Sequence, residues 1–454
     1  MTHFSSFDRL VIAIVGSLAL LTLAIVGLGD RVGVIMVSNY PPADAAQVST
    51  QTGIQAIFSQ EMAISEQEPL QLSPPLAGSV RWDGRTIAFL PTEPLAAGTT
   101  YTVTIPAGLH SQQGRPLLQP IQWRFTTSQP RVLFIGWDEE DRSQLYLATP
   151  GNLEETVQLT QERLGVLDYS LSPDGREIVY AALREDNGSN LWLIDIDGRN
   201  ARLLLDCAGA ACGGAVWTPD GRRLVYEQRN MPFPGTPPGP PRLYWFELTS
   251  GGTTPVFADS QWLGMAARFS DDGQWLGYVA PLEQEVQIYN VDDGRTLRIT
   301  SRMGQPGIWH PSLNQLLVSD IQFQENSHSI HLFLVDLATS EMSNLSGEEA
   351  MVSDQLPRYA PDGSWISIGR KEPRQPMGHQ VWLLRADGGE ARQLTDNPDI
   401  HHGPAYWSPD GRTLLFERYH LSRPNADPEI WLLEIDTGAM SRISSFGTQP
   451  TWLP

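Results

Sequence analysis

The stretch "WSPDGRTLLFERY", Trp407 to Tyr419, decides the fold, because near-copies of it recur along the second two-thirds of the chain. They begin at Leu171 (LSPDGREIVY), Trp217 (WTPDGRRLVY), Phe269 (FSDDGQWLGY), Trp309 (WHPSLNQLLV) and Tyr359 (YAPDGSWISI), 40 to 52 residues apart. In each copy an apolar residue ends one strand. Ser-Pro-Asp-Gly then supplies a tight turn, with Pro presetting φ and Gly taking the left-handed position, and an alternating strand follows. Each copy is a hairpin, and the fourth, WHPSLN, lacks Asp-Gly, which leaves its turn open to question.

A third strand and a Gly turn follow each hairpin, as in LWLIDIDG at Leu191 and IWLLEIDTG at Ile430, and then a short fourth strand such as ARQLTD. Four strands recurring at this period are the signature of a propeller blade. The third-strand phrase occurs once more, as LYLATPG at Leu145, in a unit that opens at RVLFIGW, Arg131, and lacks a first strand. At the other end TWLP puts Trp452, Leu453 and Pro454 in register with Trp407, Ser408 and Pro409. The C-terminal strand is therefore expected to complete the unit that starts at Arg131 and so to close a ring. Seven blades over residues 131–454 need about 46 residues each, whereas the alternative of six needs about 54.

This region resembles the TolB-like, or WD-like, propellers, whose repeat is the aromatic-Ser-Pro-Asp-Gly phrase followed by a Trp-bearing third strand. The resemblance implies a fold and says little about function. The whole chain is read as all-β after an N-terminal helix, with a short leader at 1–9, a linker at 30–37, a first globular unit at 38–128 and the propeller at 131–454.

In the first unit, alternation such as Tyr101, Val103 and Ile105 against Thr100, Thr102 and Thr104 marks strands with one buried face, and Trp82-Asp83-Gly84-Arg85 signals a hairpin. A small β-sandwich is expected. Its opening YPPADAAQVSTQTGIQAIFSQEM, its middle FLPTEPLAAGTTYTVTI, SQQGRPL and the closing WRFTT resemble the SbsA-type bacterial Ig-like domain, which implies a spacer or adhesive module on an exported protein.

From Leu10 to Gly29 the chain reads LVIAIVGSLALLTLAIVGLG, twenty residues without a charge. As a helix these span about 30 Å, the thickness of a bilayer core. The reading is a single-pass signal anchor, with no clear cleavage site, that places the bulk of the chain outside the cytoplasm. The chain carries 52 acidic against 31 basic residues, a formal charge of −21, which speaks against nucleic acid as a partner because phosphate contacts need Lys/Arg clusters. Cys207 and Cys212, in DCAGAACGG, either close a short disulfide or remain free thiols.

Chemistry is sparse. There is no nucleophile elbow, the Asp and Gly of each turn are adjacent rather than spaced as in a sialidase box, and Asp195/Asp197 and Asp292/Asp293 sit in hairpin turns without a Glu at calcium-loop spacing. No catalytic residue, metal ligand or cofactor is assigned. The candidate site is a polar set in the connections that lead into the inner strands: Asp168, Arg268, Arg358, His401, His402 and Gln449. Such a set at a channel mouth would recognise a protein, peptide or glycan of the cell envelope. Two other readings stay open, a propeller hydrolase or lyase working at that mouth, and an adhesive scaffold without a defined ligand.

Overall fold

The computed structural model of the chain describes residues 11, 13–22, 33–48, 50, 52–64, 69–231, 237–259, 261–324, 327–339, 341–348, 350–373 and 378–453. Val11 and residues 13–22 are helical. Among the described residues no helix is long and apolar enough to cross a membrane, and the rest of the segment 10–29, like the leader, lies outside them. The chain divides into two compact units, Met1–Gln129 and Pro130–Pro454.

The first unit is a sandwich of two four-stranded sheets. One runs Met36–Tyr40, Ile54–Phe58, Thr86–Pro91, Gly78–Asp83 in order across the sheet, and the other Ala45–Val48, Ile121–Thr127, Thr100–Ile105, Gln71–Ser73. The alternation read in the sequence is the alternation of burial: Tyr101, Val103 and Ile105 pack with Ile54, Phe58, Ile87, Trp123 and Phe125 in one core, while Thr100 stays exposed. Asp83 pairs with Thr86 across the predicted hairpin, where Gly84 takes φ +54°.

In the second unit the repeated phrase folds as its chemistry dictates. Trp407 pairs with Leu414, Ser408 Oγ donates to Asp410 Oδ1 (2.6 Å) and accepts from the Thr413 N–H (2.9 Å), and Gly411 takes φ +69°. Ser172/Asp174, Thr218/Asp220 and Ser270/Asp272 repeat the device. The fourth copy keeps its hairpin by other means. The His310 Nδ1 accepts the N–H groups of Ser312 and Leu313, both at 3.1 Å, and Trp309 still pairs with Leu316.

Antiparallel four-strand units follow one another. The second is Val166–Leu171, Glu177–Leu183, Ser189–Asp195 and Arg202–Leu205. The third to the seventh open with Ala210–Trp217, Met265–Phe269, Ile308–Trp309, Ser353–Tyr359 and Ile400–His402 with Tyr406–Trp407. A single parallel pair, Ser189 with Ala211, ties the second unit to the third. The first four-strand unit, Val132–Trp137, Ser143–Thr149 and Asn152–Gln158, is completed from the other end, because Thr448–Trp452 pairs antiparallel with Val132–Trp137, and the Leu453 N–H donates to the Arg131 carbonyl at 3.0 Å. The edge of Val132–Trp137 is thereby covered.

Each apolar cluster joins two consecutive units. Ile288 and Val286 of the fourth pack with Trp309, Leu316 and Val318 of the fifth, and the last cluster brings Leu415 and Ile430 of the seventh against Val132, Phe134 and Tyr146 of the first. The third-strand aromatics serve this packing: Trp382 lies under the Arg370 guanidinium at 5.1 Å and Trp431 under Arg418 at 4.2 Å.

The tryptophan that opens the phrase has a second task. Its indole N–H donates to the carbonyl of the residue just before the equivalent position one unit back: Trp217 to Ser170 (3.3 Å), Trp309 to Arg268 (3.0 Å), Trp407 to Arg358 (3.0 Å) and Trp452 to Tyr406 (3.2 Å). Leu171, Phe269 and Tyr359 hold the same place without an N–H to give.

Candidate functional site

First strands of units that are not neighbours in sequence approach one another. Arg268 of the fourth unit is electrostatically coupled to Arg358 of the sixth and Tyr406 of the seventh, and Tyr169 of the second to Tyr406; its hydroxyl donates to the Gln449 carbonyl of the closing strand. Units that are not neighbours meet only if these strands line one axis.

Most of these strands are kinked by a bulge, and at the kink a residue takes the left-handed region: Gly214 (φ +56°), Ala266 (+52°), Leu356 (+54°) and Gln449 (+52°). The kink turns a backbone N–H out of the ladder. In three cases a carboxylate of the preceding unit accepts it. Asp168 Oδ2 takes Gly214 N–H at 2.9 Å, Glu227 Oε1 takes Ala266 N–H at 2.6 Å, and Glu417 Oε1 takes Gln449 N–H at 2.5 Å. Burial raises the Asp168 carboxyl to about 6 against the Gly214 hydrogen bond, and the nearby Glu227 adds to the rise.

The arginines are placed otherwise. Arg268 and Arg358 share the wall of a cavity of about 190 Å3 with Gln305, Pro306, Gly307, Ser319 and Leu356. The cavity exists because the fifth unit's first strand is two residues long, against five to eight in the other continuous ones, so that the chain before Ile308 does not fill the ladder. Among the described residues no carboxylate lies within ion-pair distance of either guanidinium. Arg358 donates from Nη1 to the Pro357 carbonyl (2.7 Å) and from Nη2 to the Tyr406 hydroxyl (3.3 Å), stacks over the Tyr406 ring at 4.8 Å, and leaves Nε buried without a partner. Ser319 Oγ is buried and unpartnered in the same wall. Desolvation first, and the like charge of Arg358 second, lower the Arg268 guanidinium to about 10.

The polar set expected at one mouth is thus only partly brought together. Arg268 and Arg358 meet. Asp168 holds a backbone kink, and Gln449 joins through its N–H and carbonyl while its side chain stays exposed. His401 pairs with Tyr419, four residues along the same strand from Leu415, the partner of Tyr406, which puts it roughly 13 Å from the level of the arginines. His402 faces the core at 1% exposure, against Phe416, with Nδ1 bonded to the His379 carbonyl at 3.1 Å, and burial lowers it to about 4. It is removed from the mouth set because Ile400–His402 is a strand whose alternate side chains turn inward. The residues that the sequence reading missed are Ser319, Gln305 and the Leu356 N–H; the irregular fourth copy, WHPSLN, was the signal that this unit departs from the rest.

Cys207 and Cys212 are disulfide-bonded and buried, at the entry to the third unit's first strand. Among the described residues no cluster of three or more His, Cys, Asp or Glu has the geometry to hold a metal ion.

Comparison with known proteins places residues 30–127 in a family. The bacterial Ig-like domain family matches residues 30–127. An uncharacterised peptidase of Bacillus subtilis, YuxL, is 29% identical over 97 residues, which cover 21% of this chain and 14% of that protein's length. A puromycin-hydrolysing peptidase of Mycobacterium tuberculosis superposes with a TM-score of 0.50 at 15% identity, covering 70% of this chain and 53% of that one. TolB from Acinetobacter baumannii gives 0.44 at 12% identity, over 93% and 99%. The structural neighbours include TolB-like β-propellers and propeller peptidases. Residues 30–127 are a bacterial Ig-like domain, and the unit that follows is a propeller-like array of β-sheets.

Proposed function

We propose that this chain is a membrane-anchored, extracytoplasmic recognition protein, in which the apolar segment 10–29 is the anchor, the Ig-like domain a spacer, and the second unit a seven-bladed ring whose inner face binds a protein, peptide or glycan of the envelope. The twenty uncharged residues support the anchor, and the Cys207–Cys212 disulfide fits an oxidising compartment. Seven apolar clusters, each shared by consecutive units and the last returning to Val132, support the blade count.

One observation carries the recognition reading: among the described residues, the cavity at the fifth unit holds two guanidiniums without a carboxylate and two buried polar atoms without a partner. Polar groups left open in a concave site are what a ligand satisfies. A hydrolase or lyase would instead need proton-transfer groups beside those arginines. Asp168, whose carboxyl burial raises to about 6, is committed to Gly214, and His401 lies roughly 13 Å from the level of the arginines.

The test is photo-crosslinking in the intact envelope, with the full chain carrying a photoreactive residue at Gln305 or, as control, at the exposed Leu282. A discrete adduct specific to position 305 is expected. Identical adduct patterns from both positions would overturn the reading.

A further inference from the structure

The repeat register shows what the cavity lacks. Ten residues after the opening aromatic, the third unit carries Glu227 and the seventh Glu417; they pair with Leu243 and Ile430 of their third strands, and each caps the kinked N–H of the unit that follows. The same position of the fifth unit is Ser319, paired with Leu332 in the same register. The sixth unit, which follows it, has the same kink, at Leu356, yet among the described residues no side chain accepts the Leu356 N–H. Serine is too short to reach: its Oγ ends in the cavity wall without a partner. The cavity therefore lies on the side of the kink from which a glutamate carboxylate approaches in the other two units. Arg268 and Arg358 flank it.

We propose that the cavity between Ser319, Leu356, Arg268 and Arg358 is a carboxylate-binding site, in which a ligand's carboxylate takes the place that Glu227 and Glu417 fill elsewhere in the ring. This deepens the recognition reading and rests on it. The donors fit that group. A carboxylate accepts a kinked N–H in the manner already built twice from glutamate, and the planar guanidinium forks match its two oxygens better than a point charge would. Apart from Gln305, the remainder of the wall is apolar, made by Pro306, Gly307, Ile308, Leu317 and Pro357, so the carboxylate arrives on a small, mostly apolar body, such as the end of a peptide chain. Arg268 and Arg358 repel one another as like charges, and an anion between them relieves that repulsion.

The probe is propionate, the glutamate side chain in isolation, with its neutral isostere propionamide, titrated calorimetrically into the full chain in detergent. Saturable one-to-one binding of propionate, at least tenfold tighter than propionamide, is expected. Arg268→Gln and Arg358→Gln each weaken it at least tenfold, while Arg199→Gln, in a distant hairpin turn, leaves it unchanged. Ser319→Glu builds the missing cap into the chain: it abolishes propionate binding and raises the melting temperature by several degrees. Equal binding of acid and amide, tighter binding of inorganic phosphate, or a Ser319→Glu chain that melts lower or still binds propionate would overturn the assignment. Should propionate fail while crosslinking from position 305 still captures a partner, the carboxylate site falls and the recognition reading stands.

Discussion

Leu453 tests whether the closing strand holds the second unit together. Its side chain is 7% exposed in the cluster formed by Leu133, Ile135, Leu145 and Tyr180, and its N–H bonds to Arg131. Leu453→Ala removes buried methyl groups at the last point of contact and should cost about 3 kcal/mol. For the unit Pro130–Pro454, an unfolding entropy of about 2.1 cal/mol/K per residue gives roughly 0.7 kcal/mol/K, so the melting temperature should fall by about 4 °C. Leu313→Ala, at a side chain 53% exposed, is the matched control and should move it by less than about 1 °C. Differential scanning calorimetry of the full chain reads both. Hydrogen exchange supplies the location, since the amides of Val132–Trp137 should lose protection before those of the interior strand Trp365–Lys371. A Leu453→Ala chain that melts with the control, and keeps its protection at Val132–Trp137, would refute the idea that the strand at 448–452 bears on stability at all.

Two further outcomes follow from individual hydrogen bonds and charges. Trp309→Phe keeps the ring but loses the N–H to the Arg268 carbonyl, and should lower stability by about 1 kcal/mol, or 1–2 °C in a thermal melt. Asp168 has a folded pKa raised to about 6, so its ionisation works against folding: the penalty is absent below the unfolded value near 4, grows as pH rises towards 6, and is complete above it. Asp168→Asn, whose carbonyl oxygen can still accept the Gly214 N–H, should raise stability at pH 7 to 8 by on the order of 3 kcal/mol and change nothing at pH 3.5, as followed by urea unfolding across that range. Equal gains at both pH values would refute the burial account.

The hairpins were legible because everything that makes them is local: Ser408, Pro409, Asp410 and Gly411 act on one another within four residues. The return of Thr448–Trp452 to the first unit was legible for a different reason, since Trp452 repeats the register of Trp407. What escaped was non-local. The Trp309 indole finds its acceptor 41 residues away, which no pattern within one copy reveals. The kinks at Ala266, Leu356 and Gln449 put non-glycine residues at positive φ, where local preference argues for none of the three; only Gly214 advertises its conformation. Adjacent in sequence and alike in chemistry, His401 and His402 looked like one feature until the strand alternation turned the second into the core. The arginines could be picked out as inner-strand residues, whereas the significance of Ser319 appears only once Glu227 and Glu417 are seen capping their neighbours.

The indole bonds also give the array a direction. Each reaches backwards, from one unit to the carbonyl of its predecessor, so a disturbance in a first strand reaches the next unit through a backbone atom rather than a side chain. Energetic coupling of this kind runs between nearest neighbours. Trp309 takes its acceptor from the Arg268 backbone and Trp407 from that of Arg358, so the hairpins of the fifth and seventh units are each tied to a strand that carries one of the cavity's arginines.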